Sequence, residues 1–539
     1  MFSESRIYLT RFQHCSAGSP GMAPTFCNRC GDAVQEGCDP RDELAELDAL
    51  WERLRLKRYD LKRKINRLHS PIVRLLPPDV TSTIFEFCLP DFADHQLSPY
   101  AEEDLSIPLF LGAICSYWRN IAWSTPSLWS SLVIHVPCKH KSHITTGITQ
   151  EWLARSGQLP LSIRIYSKSY NKPVSALANI INQYSPRWSS LDLHMPDSYY
   201  QCFRATDNHA PILKSIRFHC SAHGKMNLNL DVQLTCPRLE RATLSCFPMD
   251  GTNIHWDNLT HLTLHFMSII DFFLILRKTP RLVFCKLSSL CSLDRGPIVG
   301  PPVLTSLRCL QLMITSSVED FLNNLIAPHL EEFSLPNYYN PSMEVITSFL
   351  RRSACSLRSF SIIFSNFPPY FESFMDLLQS MPSLNTLSMT SITNTTSHFE
   401  NTTPDDYDPR NILELVAKVV SSQCTSESRQ QRFLPNLKIL EYAGKLRLRP
   451  GNYYDLYSLL PADNVVHGPL HLLKLDLHPT TRIPKNIISY LSSIVERGVT
   501  VKVLSNSEDI LQSSMDYYRY KDDFFVRDWT DILDSSLFS

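Results

Sequence analysis

Glycine is scarce. Fifteen in 539 residues, against the ~7% usual in globular proteins, are too few for a fold built on several phosphate-cradling loops, which argues against a nucleotide enzyme. An excess of either charge is also missing: Lys+Arg 52 stands against Asp+Glu 53, so no global field draws the chain to nucleic acid or to an anionic membrane. Long apolar runs are absent too. The most apolar stretch, Phe266 to Leu276, contains Asp271 and falls far short of the ~20 residues needed to span a bilayer. The first thirty residues hold no signal-peptide core, being broken by Arg6, Arg11, Gln13, His14 and Ser16. The strings HExxH, GxSxG and GxGxxG, the P-loop and the calcium loop do not occur. These absences predict a chain without catalytic residues or cofactor, soluble, in the cytoplasm and/or nucleus.

What is present is enough apolar material for a large core, at 43% hydrophobic and 19% charged residues, and a length that fits several domains or one repeat array with an appendage. Most of the sixteen cysteines, such as Cys246, Cys285 and Cys309, stand alone inside apolar runs and read as reduced thiols acting as small core hydrophobes. One group differs. Cys27-Asn28-Arg29-Cys30 has the two-residue gap that lets two thiolates grip zinc, but a structural centre needs two more ligands, available only from Cys15, Cys38 or His14. Residues 1–39 are therefore expected to be a flexible tail without metal.

From Asp42 to Leu68 a three-four apolar spacing runs through Leu44, Leu47, Trp51, Leu54, Leu61, Ile65 and Leu68, with Arg58 as one polar break. Acidic residues crowd the first half and basic ones the second, which complements a helix macrodipole. A long amphipathic helix over 40–70 follows, ending at Ser70-Pro71, with self-association or packing onto the next module as its role. Residues 71–135 then pack many apolar residues into little length. Pro77-Pro78-Asp79 starts a helix with Val80, Ile84, Phe85 and Cys88 on one face, and Leu111, Ile114, Cys115, Trp118 and Ile121 form a second stripe. About sixty residues enclose too small an interior to hide both faces, so a partner surface is implied.

At these residues the sequence resembles the F-box family, specifically fungal F-box-like proteins with a coiled coil before the box. The matching features are Leu76-Pro77-Pro78, Ile84-Phe85, Leu89, Cys115-Ser116-Tyr117-Trp118-Arg119 and Leu128-Trp129. Asp79 stands where Glu is usual, and an insertion from Asp91 to Ser106 lengthens the loop between the first two helices. The resemblance implies docking onto the Skp-type adaptor of a cullin-RING ubiquitin ligase, with Leu76, Pro77, Ile84, Phe85, Leu89 and Trp118 at the family's interface or box core.

The remaining chain carries the pattern apolar-x-x-apolar-x-apolar, often just after a proline. It starts at Trp188, Leu213, Leu239, Leu259, Leu282, Leu307, Leu330, Leu357, Leu384, Leu437 and Leu472. Most intervals fall in the 20 to 29 residues of leucine-rich repeats, and that from Leu384 to Leu437 reads as about two units. Helical stretches lie between, at Ile270 to Arg277, Val318 to Ile326, Met343 to Arg352 and Tyr370 to Gln379. The expected fold is thus α/β: a short helical F-box-like module behind a long helix, then a degenerate leucine-rich-repeat solenoid over 136–505. Its polar insert is Thr393 to Arg410, and a C-terminal cap follows over 506–539, rich in Tyr517, Tyr518, Tyr520, Phe524, Phe525 and Trp529.

Alternation along each strand makes the x positions the displayed ones. Arg217, His219, His261, His265, Lys286, Gln311, Glu332 and Glu441 are the candidate target-binding residues, with Thr263, Met313, Lys474 and Asp476 beside them. His261 and His265 share a face, but no third ligand lies at metal spacing. The expected function is a substrate-recognition adaptor whose box engages the ligase and whose repeat array holds an unknown target protein, with no nucleic acid or membrane as partner. The alternative is a ligase-independent scaffold, and a third reading is a zinc-assisted nucleic-acid binder using Cys27, Cys30 and the basic helix.

Overall fold

The computed structural model describes residues 40–69, 75–89, 107–136, 142–167, 174–205, 207, 209–220, 232–246, 252–291, 302–313, 318–336, 342–364, 371–391, 410–424, 432–444, 469–477, 483–505 and 508–519. The Cys27 and Cys30 pair, the Asp91 to Ser106 insertion, and Tyr520, Phe524, Phe525 and Trp529 lie outside them. The chain divides into two compact units, one of Met1–Leu89 with Ser106–Ser124 and one of Pro90–Leu105 with Thr125–Ser539. In this division Leu128-Trp129 belongs to the second unit.

The first unit is helical. Helix α1 (Pro40–His69) carries the three-four pattern, and its described side chains are all exposed. Helices α2 (Pro78–Phe87), α3 (Ile107–Ile114) and α4 (Ser116–Ser124) follow. The stripe from Leu111 to Ile121 is split at Cys115 between α3 and α4. Gly112 is required there, because a Cβ would collide with the Trp123 ring.

The second unit is mixed α/β. Among the described residues its main sheet has fifteen strands, each hydrogen-bonded to the next in this order: β1 (Ser131–His135), β2 (Leu161–Tyr166), β3 (Trp188–Met195) and β4 (Ser215–Cys220); then β6 (Arg241–Ser245) and β8 (His261–Ser268); then β9 (Phe284–Cys291), β10 (Cys309–Met313), β11 (Glu332–Pro336), β12 (Ser359–Phe364) and β13 (Thr386–Ser391); and finally β14 (Ile439–Gly444), β15 (Leu472–Leu477), β16 (Thr500–Ser505) and β17 (Glu508–Asp509). Short strands β5 (Val232–Leu234) and β7 (Thr252–Ile254) pair separately. All main-sheet pairs are parallel except β16 with β17. Parallel neighbours need a crossover, and several carry a helix: α5 (Ser142–Arg155), α6 (Val174–Asn182), α7 (Ile269–Arg277), α8 (Val318–Asn323), α9 (Met343–Ser353), α10 (Phe371–Gln379), α11 (Arg410–Cys424) and α12 (Lys485–Glu496). The sheet is open, with β1 at one edge and β17 at the other.

The register explains the repeat. Two unbroken apolar rows cross the sheet, Leu132-Ile163-Leu191-Ile216-Ala242-Leu262-Cys285-Leu310-Phe333-Phe360-Leu387-Leu440-Leu473-Val501 and Ile134-Ile165-Leu193-Phe218-Leu244-Leu264-Leu287-Leu312-Leu335-Ile362-Met389-Tyr442-Leu475-Val503. Every member is buried. A third buried row enters each strand from its turn, including Leu213, Leu239, Leu259, Leu282, Leu307 and Leu330. The N–H of each of these six bonds the carbonyl three residues back. Between turns a backbone ladder recurs: the Glu240 carbonyl accepts from Thr260 and His261 N–H, the Thr260 carbonyl from Val283 and Phe284, and so on to Lys438, which accepts from His471 and Leu472. Turn backbone that would otherwise lack partners is satisfied by the next unit.

Three details differ from the sequence expectation. The sheet begins at Ser131, ahead of the 136–505 expected for the array and well before the first repeat at Trp188, because the three-residue step of the pattern is lost at β1 and β2: Leu128 stands four residues before Leu132, and Leu161 two before Ile163. Between Leu384 and Leu437 there is one long unit, since β13 pairs with β14 along six residues and leaves no room for a strand between them. In β15 the turn anchor is Leu470, which is buried, whereas Leu472 lies on the opposite face. At the C-terminal end, Glu508–Asp509 covers part of the β16 edge, and the Ser514 hydroxyl accepts from Ile483 N–H at 3.2 Å.

Burying each Leu, Ile or Phe contributes about 1.5–3 kcal/mol, while fixing each residue's backbone costs about 1–2 kcal/mol, so one strand and its turn cannot stand alone. Neighbours supply the difference. Ile362→Ala is expected to cost about 2–5 kcal/mol and Ser361→Ala, one residue away on the other face, under about 0.5 kcal/mol; denaturant midpoints of the two variants test the register.

Candidate functional site

The helical unit presents an uncovered apolar surface. Pro78 presets the first turn of α2, and the Pro77 carbonyl accepts from the Thr81 N–H at 3.0 Å and the Thr81 hydroxyl at 3.1 Å. Phe85 points inward, 1% exposed, with its ring 4.9 Å from that of Trp118. The Tyr117 hydroxyl donates to the Leu76 carbonyl at 3.4 Å, tying α4 to the segment before α2. With Phe85 inside, helical geometry turns Val80, Ile84 and Phe87 outward, and all three are exposed, Phe87 at 86%. Helix α3 leaves Leu109, Phe110 and Ile114 exposed as well. Of the six residues expected at the interface or box core, Pro77 and Ile84 are exposed, Leu76, Leu89 and Trp118 are half-buried, and Phe85 is core. Phe85 thus lies in the core of this unit. Phe87 and Phe110, absent from that expectation, are exposed aromatic rings of this unit.

The sheet presents a second surface. The displayed positions of β2 to β10 carry four cations, Arg164, Arg217, Arg241 and Lys286, and one carboxylate, Asp192, which pairs with the first two. Asp192 is almost fully buried between strands. Arg164 Nε donates to its Oδ2 at 2.8 Å, Arg217 Nη1 to the same oxygen at 3.1 Å, and His194 Nε2 lies 2.8 Å from Oδ1. Burial opposes ionisation of this carboxyl, yet the His194 hydrogen bond and the charges of His194, Arg217 and Arg164 outweigh it and hold its pKa below the ordinary value. Rings stack along the neighbouring row, His135 on Tyr166, Tyr166 on His194 and His194 on His219, at centroid distances of 5.1, 4.8 and 5.3 Å.

Beside this cluster opens a cleft of about 560 Å³ whose lining includes His194, Arg217, His219, Arg241, His261, His265, Lys286 and Gln311 and, among the described residues, no carboxylate. Burial lowers the pKa of His219, with His194 adding to the effect and Asp192 opposing it. Burial also lowers that of His265, helped by Lys286, His219 and Arg217. Both rings are therefore largely uncharged at neutral pH, and the standing positive charge comes from Arg217, Arg241 and Lys286. Chemically the cleft suits an anionic group flanked by hydrogen-bonding surface. Among the described residues no three His, Cys, Asp or Glu side chains are arranged to hold a metal ion.

Arg217, His219, His261, His265, Lys286 and Gln311 thus come together. Glu332 and Glu441 do not join them. Glu332 is exposed on β11, where together with burial it pushes the Cys309 thiol up to about 12. Glu441 lies on β14, 4.0 Å from Lys474. Between these regions, β12 and β13 display Ser359, Ser361, Thr386, Ser388 and Thr390 with Ile363, a strip without charge. Sequence reasoning missed His194 and Arg241, although the same alternation marks both: Arg241 is the first displayed residue of its strand, paired with His261.

No protein-family model matches the chain, and no curated protein matches it.

Asp192→Asn removes the counter-charge of buried Arg164 and is expected to cost about 3–5 kcal/mol, visible as a lower melting temperature with secondary structure retained. A second outcome concerns pH. Since the folded-state values of His219 and His265 lie below the unfolded one, the unfolded chain binds more protons below about pH 6.5, and the two rings erode stability as pH falls through that window. Acidification also adds positive charge to the cleft, so binding of an Asp/Glu-rich peptide is expected to tighten about tenfold from pH 7.5 to 5.5. His219→Ala/His265→Ala removes that increment in calorimetric titration.

Proposed function

We propose that the chain is a substrate-recognition adaptor of a Skp-cullin-F-box type ubiquitin ligase. The observation that carries this reading is the uncovered apolar surface of the helical unit, Val80, Ile84 and Phe87 on α2 with Phe110 and Ile114 on α3, next to the F-box-like residues Leu76-Pro77-Pro78 and Cys115 to Arg119. An exposed apolar patch of this kind marks an interaction site, and the Skp-type adaptor of a cullin-RING ligase is the occupant the resemblance implies. The second unit, on this reading, is a degenerate leucine-rich-repeat solenoid. Its in-order parallel strands, its recurring leucine turns and its 20 to 29 residue spacing support that assignment.

The target binds on the displayed sheet face. Cleft chemistry favours an acidic segment of that target, held by Arg217, Arg241 and Lys286. The chain itself performs no bond chemistry. It accelerates transfer by proximity, since holding target and charged ubiquitin carrier in one assembly raises their effective concentration.

Affinity purification separates the two surfaces. Ile84→Asp/Phe87→Asp is expected to lose the Skp-type adaptor and keep targets, whereas Arg241→Glu/Lys286→Glu is expected to lose targets and keep the adaptor. If the unaltered chain brings down targets but no Skp-type adaptor, the scaffold reading replaces this one.

A further inference from the structure

Helix α1 leaves its seam uncovered: Leu44, Leu47, Leu54, Leu61 and Ile65 are at least half exposed, and Trp51 is 69% exposed. Placed on a heptad, Leu47, Leu54, Leu61 and Leu68 all fall at d, and Leu44, Trp51, Arg58 and Ile65 at a. The thirty-residue helix is ~45 Å long, and its four heptads give a seam long enough for a stable coiled coil. Two features of that seam choose its occupant and its direction.

The first is Arg58. In a parallel pair, residues at a meet their own counterparts, which would bury two Arg58 side chains against each other and set Trp51 on Trp51. In an antiparallel pair, a meets d: Leu44 faces Leu68, Leu47 faces Ile65, Trp51 faces Leu61, and Arg58 faces Leu54. The lone cation then lies along an aliphatic side chain with its guanidinium free to reach water. The second is the charge polarity. Glu43, Glu46, Asp48 and Glu52 occupy one half, and Arg53, Arg55, Lys57, Arg58, Lys62, Arg63 and Lys64 the other. A parallel pair would set Glu43 near Asp48 and Lys57 near Lys62, whereas an antiparallel pair lays acidic half on basic half and brings Asp48 to Lys62 twice by symmetry. Like charges remain where Arg55 and Lys57 meet their counterparts at the centre. Arg55 is partly neutralised there by Glu52, at 2.7 Å in its own helix.

We infer that α1 pairs with α1 of a second copy of this chain, antiparallel, in the register that sets Leu54 opposite Arg58. The pairing does not depend on the ligase reading. It stations the two α2 to α4 modules toward opposite ends of a rod rather than side by side.

The test uses the full chain with a photo-crosslinking amino acid at position 47, mixed from light and heavy isotope cultures so that links between copies are recognised by mass. The inferred pairing gives a dimer by sedimentation and inter-copy links from position 47 to Ile65 or its neighbours. Leu54→Asp/Leu61→Asp weakens the dimer by roughly 100-fold or more while the circular dichroism of the sheet is unchanged. Links from position 47 to position 47 of the other copy or its immediate neighbours, or a monomeric mass at roughly 100 μM, overturn it.

Discussion

Parallel stacking is the constraint from which the rest of this molecule follows. A parallel strand pairs with its neighbours only after a crossover, and an isolated strand-and-turn cannot recover the entropy of ordering. The solution here is periodic in side chain and backbone alike. Two apolar rows and a row of turn leucines are buried from strand to strand, while each turn carbonyl accepts two N–H groups from the next unit. The inner positions are thereby committed to packing, and the alternate positions, pointing the other way, are released from it. Varied chemistry on the displayed face is a direct result, because side chains such as His265 or Gln311 are not asked to hold the strands together.

Freedom to vary does not make the face uniform. Cations and imidazoles gather on β3 to β9, and Asp192 offsets part of that charge from beneath, held by two guanidinium groups and a histidine. A carboxylate in that position does two things. It permits Arg164 to be buried within the sheet, and it fixes the direction in which Arg217 points. Among the described residues the cleft beside it is left with Arg241 and Lys286 and no carboxylate in its lining, a local positive charge on a chain that is nearly neutral as a whole.

Much of this was legible in the sequence, and the reasons are local. The pattern Pro-x-Leu-x-x-Leu-x-Leu identified units such as Pro237 to Leu244 and Pro435 to Tyr442 because proline turns and buried leucines recur at matched positions. Where the step from anchor to strand is not three residues, as from Leu128 to Leu132 and from Leu161 to Ile163, the pattern does not register β1 and β2. The LHLLKLDL run offered three leucine registers, and only pairing with β14 selects Leu470 as anchor. Six of the eight proposed displayed residues meet in one cleft, since period-two alternation decides which face a side chain takes. Distance along the sheet decides whether faces meet, and it depends on how many strands intervene, which is why Glu441 stands apart. In the helical unit the apolar face of Val80, Ile84 and Phe85 is divided for a similar reason, with Phe85 enclosed and the other two exposed. Periodicity shows that a helix has an apolar side, but Trp118, brought in from α4, decides which ring is enclosed.

The strip of hydroxyls on β12 and β13 has its own consequence. Lys286 on β9 and Glu441 on β14 are five strand positions apart, ~24 Å at ~4.8 Å per strand, several times the ~8 Å over which exposed charges are felt at physiological salt. Uncharged serine and threonine between them act as an insulator. The charges at the Glu441–Lys474 end and those of the histidine cleft can therefore each be changed by mutation without the other registering the change.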